Sequence, residues 1–364
     1  MKIAMISMKS ISSKMTCEAL RKHFDHVDEI DIRNIEVDIS NKPVVMYNGE
    51  ELGHYDCIYA KGSYKYAMIL RALTDVVKSS GKQTYTPYNP DAYTNGHDKI
   101  LTHLKLQHNK IPTPVTYIAS SPESGKKILE RINYPVILKI PSGTQGKGVM
   151  FVDSYEAAAS MLDTLTTLRQ PFLIQEYVET GSTDIRVIVV GDKVVAAMKR
   201  HGKKDDKRSN IHAGGSGEQI IPNEDVKRIA VKAAKAVGAE ICGVDILDSE
   251  IKGPLVIEVN LSPGLQGITN ATKLNVPDLI AKYLAEQTKT MLTANVTRDS
   301  KDVMSDLDAT NQTRMCIITN LSTRGSKLIL PEIAYKMSKI NDETEVELCI
   351  EKGLIEIKRI NESE

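Results

Sequence analysis

The most informative part of this sequence reads Gly243-Val244-Asp245-Ile246-Leu247 and, after a short break, Gly253-Pro254-Leu255-Val256-Ile257-Glu258-Val259-Asn260. Both runs have the composition of buried strands. Side chains alternate between the faces of a strand, so Glu258 and Asn260 project to one side while Val259 points away. Asp245 reaches that side if the two strands pair as a hairpin. Three converging oxygen donors suit Mg²⁺ or Mn²⁺, and their burial without a metal would cost several kcal/mol per charge. The alternative is a hairpin whose polar face is hydrated.

A glycine-rich loop follows another apolar strand. Lys139 stands near the end of the strand predicted for residues 135–140, directly before Pro141-Ser142-Gly143-Thr144-Gln145-Gly146-Lys147-Gly148-Val149. The glycines at 143, 146 and 148 allow backbone N–H groups to approach phosphate oxygens, which a neighbouring cation would neutralise. The spacing matches neither a Walker A motif nor the Rossmann fingerprint. A hairpin tip that needs glycines for turning is therefore an equal alternative.

Polar residues also interrupt the strand Leu173-Ile174-Gln175-Glu176-Tyr177-Val178. Such a strand can cross an adenine pocket, with backbone groups reading the base edge and Glu176 accepting a ribose hydroxyl. The alternative is a sheet strand with a hydrated end.

Charged residues alternate with apolar neighbours in Asp184-Ile185-Arg186 and around Arg200, so they could line one sheet face together with the hairpin. Arg208-Ser209-Asn210 ends the basic run that begins at Lys199; such a run is usually a solvated loop. Arginines that face a metal–phosphate centre stabilise the charge of phosphoryl transfer. There is no nucleophile elbow and no Cys–His signature, which favours an ATP-driven reaction with magnesium over covalent catalysis.

Composition sets the broad class. The chain has 364 residues, enough for two or three domains, and equal numbers of Lys+Arg and Asp+Glu, 47 each. The formal net charge of +0 gives no electrostatic argument for nucleic acid. Five scattered cysteines without a Cys-x-x-Cys pair indicate reduced thiols. No apolar run approaches a membrane span and the first residues read as a strand, so we expect a cytoplasmic protein with no membrane partner.

Periodicity divides the chain into successive segments. Residues 1–95 alternate strand and helix signals, which predicts a small α/β domain with a mostly parallel sheet. Residues 96–290 carry the motifs above, in a central part (96–170) and a catalytic part (171–290). Residues 291–312 are polar and without periodicity, which predicts a linker, and residues 313–364 predict a small β-rich domain.

The alternating apolar residues of this tail are too few to bury a robust core alone. They are Val346, Leu348, Ile350, Leu354, Ile355 and Ile357. We expect a homo-oligomer formed through the tail; the alternative is a tail that packs back on its own chain.

Taken in order, the motifs resemble those of the ATP-grasp carboxylate–amine ligases, specifically the RimK-like branch of glutamate ligases, over about residues 1–290. The matching segments are Lys139 with Gly143–Gly146, Gln175–Tyr177, Asp184–Arg186, Val190–Ala197, Arg208–Asn210, Gly243–Leu247 and Glu258–Gly264. The resemblance implies an α/β (α+β) ATP-grasp fold with an N-terminal α/β pre-ATP-grasp domain, here followed by a small mostly-β appendix. It also implies phosphorylation of a carboxylate by ATP, followed by attack of an amine, usually that of L-glutamate.

The resemblance further implies roles for individual residues. Lys99 and Lys139 would hold the α- and β-phosphates, Glu176 and Tyr177 the adenine, and Asp184 would lie near the ribose. Three further residues would lie near the phosphates: Arg208, Ser209 and Asn210. Asp245, Glu258 and Asn260 would coordinate two Mg²⁺ or Mn²⁺ ions, with Glu258 bridging them. Arg186 and Arg200 would steady the acyl phosphate and the oxyanion.

Two departures bear on the partners. His212-Ala213-Gly214-Gly215 has alanine where ribosomal-protein-modifying members carry arginine. The acceptor, a protein C-terminus or a small molecule, is therefore left open. The tail extends beyond the usual end of the family, and its segment Thr323–Pro331 is faintly similar to an AbrB-type domain. A scaffold or nucleic-acid-binding regulator that acts through this tail is the alternative function; the neutral net charge disfavours it.

Overall fold

The computed structural model describes residues 1–141, 148–202 and 216–309. In the tail it describes 322–324, 327–330, 334–335, 338, 340–341, 344–352 and 354–359. These residues separate into two units, Met1–Lys289 and Thr290–Glu364.

The first unit begins with a three-stranded parallel sheet of order β2-β1-β6 and a small antiparallel sheet of order β3-β4-β5. The elements are β1 (Lys2–Ser7), α1 (Ile11–Leu20), β2 (His26–Asp31), β3 (Ile35–Asp38), β4 (Val44–Tyr47), β5 (Glu50–Glu51), β6 (Cys57–Ala60), α2 (Ala67–Ser79) and α3 (Pro90–His97). Ser10 caps α1 by accepting a hydrogen bond from Ser13 N, which stabilises the beginning of the helix at Ile11. The predicted parallel sheet is confirmed.

An antiparallel four-stranded sheet of order β7-β10-β8-β9 follows. Its region comprises α4 (Lys99–His108), β7 (Thr116–Ile118), α5 (Pro122–Leu129), β8 (Val136–Lys139), β9 (Val149–Val152), α6 (Tyr155–Thr167) and β10 (Leu173–Glu176). Ser121 and Ser154 cap the two helices that cover the sheet, α5 and α6. Leu138, Leu162 and Ile174 belong to the separate hydrophobic core that results.

The fourth sheet of this unit has five antiparallel strands in the order β13-β12-β11-β14-β15. Its region comprises β11 (Thr183–Val190), β12 (Lys193–His201), β13 (Ser216–Gln219), α7 (Glu224–Val237), β14 (Ile241–Ser249), β15 (Gly253–Asn260), α8 (Gln266–Thr272) and α9 (Val276–Ala309). The buried residues of this sheet and of the N-terminal parallel sheet form one continuous core. The regions of the parallel, the four-stranded and the five-stranded sheet all contribute residues to a common cleft.

The long helix α9 runs through most of the segment predicted as a linker, residues 291–312. No glycine or proline occurs between Thr290 and Ala309, so nothing stops the helix after its packed part, and it continues to Ala309. The predicted linker is therefore helical over most of its length. Within the described ranges, no helix has both the length and the apolar character needed to cross a membrane.

The tail contains two hairpins. They are β16 (Ser322–Arg324) with β17 (Lys327–Ile329), and β18 (Val346–Glu351) with β19 (Leu354–Arg359). Both agree with the β-rich tail predicted for residues 313–364. In the register of the second hairpin Leu348 lies opposite Ile357, and Ile350 opposite Ile355, so these residues share one face. Ile350 is 69% exposed and Leu348 54%, which leaves this face uncovered by the described part of the chain.

Candidate active site

A cleft of about 1160 Å³ collects the predicted site residues of the first unit. Those that line it are Lys99, Lys139, Glu176, Tyr177, Asp184, Arg186, Arg200, Asp245, Glu258 and Asn260. Gly148 lies beside it, at the base of the glycine-rich loop. Gly143, Gly146, Arg208, Ser209 and Asn210 lie outside the described residues.

The oxygen-bearing hairpin pairs as predicted. In β14 and β15, Asp245 lies opposite Glu258 and Gly243 opposite Asn260, and the register shifts directly after Asp245. In the amide orientation that satisfies both of its polar atoms, Asn260 donates to Glu258 Oε1 at 3.2 Å and accepts from Arg186 Nη2 at 3.3 Å. Two carboxylates and one amide oxygen therefore line the same wall. This all-oxygen set fits Mg²⁺ or Mn²⁺, although no three His, Cys, Asp or Glu side chains of the described chain cluster as a metal site.

Asp245 belongs to a buried network of ion pairs. The Arg186 guanidinium donates to both carboxylate oxygens of Asp245, at 2.7 and 2.6 Å, and Arg200 Nη2 lies 2.9 Å from Asp245 Oδ2. Arg200 also donates to both oxygens of Asp184, at 2.5 and 2.6 Å. The pairs follow from the register, because Asp184 lies opposite Arg200 and Arg186 opposite Asp245 on neighbouring strands.

The network sets the charge of its members. Burial alone would raise the pKa of Asp245, but the two guanidinium groups outweigh it and hold that pKa below its usual range. Burial would likewise lower the pKa of Arg200, and the carboxylates of Asp245 and Asp184 raise it instead. The side chain of Arg200 is 6% exposed, whereas that of Arg186 is 13% exposed. Arg186 is therefore the more accessible of the two arginines from the cleft.

The proposed phosphate-binding lysines are both held by neighbouring oxygens. Lys139 Nζ donates to Gln175 Oε1 at 2.6 Å, and Gln175 Nε2 donates to Thr116 Oγ1 at 2.7 Å. Burial lowers the pKa of Lys139 to about 8, against the opposing charge of Glu258. Lys99 Nζ donates to Pro141 O at 3.2 Å, beside the glycine-rich loop. No role was predicted for Gln175, because only the pairing of β10 with β7 and β8 brings its partners together.

The predicted adenine strand carries an aromatic pair. The rings of Phe151 and Tyr177 meet edge to face, with centroids 5.1 Å apart, and both residues line the cleft. Glu176 Oε1 accepts from Val115 N at 3.0 Å and its other oxygen pairs with Lys252. Phe151 was not predicted as a site residue, because it lies on β9 without a local motif to mark it.

Gly148 closes the base of the glycine-rich loop. Its φ is +76°, and an added Cβ would lie 3.0 Å from Ile140 Cβ. Gly148 O accepts from Ile140 N at 2.9 Å. Glycine is therefore needed here for the backbone turn itself.

Comparison with known proteins gives a consistent family. The family described as a RimK-like ATP-grasp domain matches residues 96–284. A "probable alpha-L-glutamate ligase" of Saccharophagus degradans is 36% identical over 294 residues, 79% of this chain and 97% of that protein. A protein of the same name from Thioalkalivibrio sulfidiphilus is 37% identical over 295 residues, again 79% and 97%.

Solved structures agree on the fold. The ATP-grasp ligase PsnB, complexed with minimal precursor, Mg and ADP, superposes with a TM-score of 0.61 at 19% identity, covering 79% of this chain and 98% of that one. A D-alanine–D-alanine ligase from Bacillus anthracis gives a TM-score of 0.58 at 17% identity, covering 81% and 99%. The predicted ATP-grasp fold is confirmed. The family match ends before the tail, so the AbrB-type resemblance stays a prediction.

Proposed function

Because the chain belongs to the RimK-like ATP-grasp family of ATP-dependent carboxylate–amine ligases, we propose that it joins the amine of L-glutamate to the carboxylate of an acceptor. The acceptor is a protein C-terminus or a small molecule. One observation carries the proposal: a single cleft holds both the buried Lys139 and the oxygen-bearing wall of Asp245, Glu258 and Asn260. The curated relatives named as glutamate ligases support the choice of amino acid.

The reaction has two steps. A carboxylate oxygen of the acceptor attacks the γ-phosphorus of ATP, the bond to ADP breaks, and an acyl phosphate forms. The glutamate amine then attacks the acyl carbon, inorganic phosphate leaves, and the amine gives its proton to solvent. Lys99 and Lys139 neutralise phosphate charge in the first step. Arg186 faces the developing oxyanion, while Arg200, deeper in the network, orients Asp184 and Asp245.

The remaining residues of the cleft are assigned to the adenine, the ribose or the phosphates of ATP. Phe151 and Tyr177 offer a wall for the adenine ring, with Glu176 beside it and Asp184 on the ribose side. The glycine-rich loop and Arg208, Ser209 and Asn210 complete the phosphate side in this proposal. We assign nucleotide covering to residues 96–170 and catalysis to residues 171–290, with residues 1–95 as the N-terminal domain.

Asp245, Glu258 and Asn260 would hold the two Mg²⁺ or Mn²⁺ ions of the proposed site. Bound there, the ions would neutralise the phosphates and draw charge from the transferring group. The charge of Glu258 acts on Lys139, so Lys139 and the metal ions that Glu258 would hold would neutralise the charge of the same triphosphate. Asp245 already meets two guanidinium groups, which leaves Glu258 as the principal carboxylate for the metal.

The proposal is tested by assay of the full-length protein with ATP, Mg²⁺, L-glutamate and a panel of acceptors. The panel contains peptides that end in glutamate and small dicarboxylates. We expect ADP release that requires both glutamate and an acceptor, and an acceptor mass increased by one glutamate residue. Aspartate and lysine replace glutamate as controls. Absence of acceptor-dependent ADP release across the panel, in a protein that binds ATP, would contradict the proposal.

We also propose that the tail joins two copies of the chain through the apolar face of the β18–β19 hairpin. Replacing the cross-strand pair Ile350 and Ile355 by lysine is expected to give a monomer in light scattering and leave ADP release unchanged, because charge on this face prevents its burial. The control replaces the pair Cys349 and Glu356, on the opposite face, by lysine. A monomeric wild-type protein would rule out this tail contact.

A further inference from the structure

Lys61 is a buried cation that lines the same cleft and that has no role in the site described above. It follows β6, is 5% exposed, and its Nζ finds no hydrogen-bond partner among the described residues. The nearest aromatic ring, that of Tyr59, has its centroid 5.9 Å away. Burial, opposed only by the Cys17 thiol, lowers the pKa of Lys61 to about 8.

A buried ammonium without a partner is costly. Desolvation of a charge that no hydrogen bond or counter-ion compensates costs several kcal/mol. An apolar side chain of similar length, such as methionine, would fill the same space at no such cost. The lysine therefore indicates an anion that is not supplied by the described part of the chain.

The position of Lys61 is that of a ligand site. The loops after β1 and β6 leave the same edge of the parallel sheet, and both line the cleft, with Ser10 and Ser13 from one and Lys61 and Gly62 from the other. Ligands of open α/β sheets bind at this carboxyl edge. The helix α1 begins here. The Ser10 hydroxyl accepts from the amide of Ser13, and the remaining amides of the first turn point out of the N-terminal end of the helix with a partial positive charge.

Two hydrogen bonds connect this edge to the proposed metal ligands. Ser262 Oγ donates to Gly62 O at 2.9 Å, and Leu265 N donates to Ser12 Oγ at 2.9 Å. Ser262 and Leu265 belong to the segment that directly follows Asn260. The surroundings of Lys61 are thus held in a fixed position relative to the reacting end of the cleft.

We propose that Lys61 and the N-terminus of α1 form a subsite for a substrate carboxylate that is bound but not activated. The inference rests on the proposed ligase function of the same cleft. One ammonium and a few amides balance one carboxylate, whereas the phosphates of ATP carry several charges and are met by Lys99 and Lys139. The carboxylate belongs either to the incoming glutamate or to a second carboxyl group of the acceptor.

The test compares Lys61→Met with Lys65→Met, an exposed lysine of the same loop. For Lys61→Met we expect the KM of one carboxylate substrate to rise about tenfold or more, with an unchanged KM for ATP. The melting temperature of the ligand-free variant should equal or exceed that of the wild type. Lys61→Gln should give the same result as Lys61→Met. Lys65→Met should change neither the KM of the carboxylate substrate nor the KM for ATP. A lower melting temperature of both Lys61 variants, or a rise in the KM for ATP alone, would assign Lys61 to the fold or to the nucleotide and overturn the subsite.

Direct binding separates this inference from the proposed function. L-glutamate and a glutamate-terminated peptide are titrated calorimetrically into wild type and Lys61→Met. Loss of binding of the amino acid assigns the subsite to the incoming substrate, and loss of binding of the peptide assigns it to the acceptor. If wild type binds a probe in a Lys61-dependent way but releases no ADP, the ligase proposal fails and the subsite stands. If wild type binds neither probe, or the variant binds both as well as wild type, the subsite is overturned.

Discussion

Replacing Glu258 by glutamine is expected to lower turnover about 100-fold or more while the protein stays folded. Glutamine keeps the shape of the side chain and removes the negative charge that the proposed metal site needs most. The ion network of Asp184, Arg186, Arg200 and Asp245 does not include Glu258, so the change leaves it intact. Turnover is measured as ADP release over a range of Mg²⁺ and Mn²⁺ concentrations, and metal affinity by calorimetry.

The matched control for Glu258 is Glu250→Gln. Glu250 is an exposed residue at the turn of the same hairpin, and its substitution should change neither turnover nor metal affinity. The expected result has both quantities falling together in Glu258→Gln, with little change in melting temperature. Near-normal turnover at ordinary Mg²⁺ would place the metal elsewhere.

Replacing Arg200 by methionine is expected to lower the free energy of unfolding by about 3–5 kcal/mol. The substitution leaves the carboxylate of Asp184, 4% exposed, without its bidentate partner, and it removes one of the two guanidinium groups that meet Asp245. Urea unfolding of the ligand-free protein measures the loss. The control is Arg228→Met, which removes an exposed ion pair with Asp225 on α7 and should cost about 1 kcal/mol or less.

The effect of Arg200→Met should depend on pH in a defined direction. The network holds the pKa of Asp245 below its usual range, so its contribution to stability is present above the ordinary aspartate pKa of about 3.9. That contribution is lost as the pH falls through the lowered value of the folded state. The difference between wild type and Arg200→Met should therefore be full at pH 7 and should narrow below about pH 4. A loss under 1 kcal/mol at pH 7 would show that the network is not structural.

The features that could be predicted from the sequence are those encoded by local patterns of residues. The alternation along Glu258, Val259 and Asn260 predicted a shared face, and the short break before Gly253 predicted the hairpin that brings Asp245 opposite Glu258. The strand predicted for residues 135–140 is likewise β8, one residue shorter at each end. These features depend on residues close in the chain, where periodicity decides the outcome.

The ion network could not be predicted in the same way. Asp184, Arg186 and Arg200 were marked as site residues, but their pairing depends on the register of β11 against both β12 and β14. Register across distant strands is a property of the assembled sheet. Lys61 was not predicted for a similar reason. A lysine at the end of a short strand is expected to be solvated, and its burial depends on the packing of α1 in the assembled fold.

The two separate hydrophobic cores of the first unit have a consequence for how substrates enter. Buried residues of the four-stranded sheet and its helices α5 and α6 belong to one core, and those of the other two large sheets belong to another. Regions with separate cores open at separate free energies. The four-stranded sheet, to which we assign nucleotide covering, is therefore expected to lose protection from hydrogen exchange without disturbing the wall that holds Asp245 and Glu258. Mutations confined to the smaller core are accordingly expected to change the rates of nucleotide binding and release without altering the chemical step.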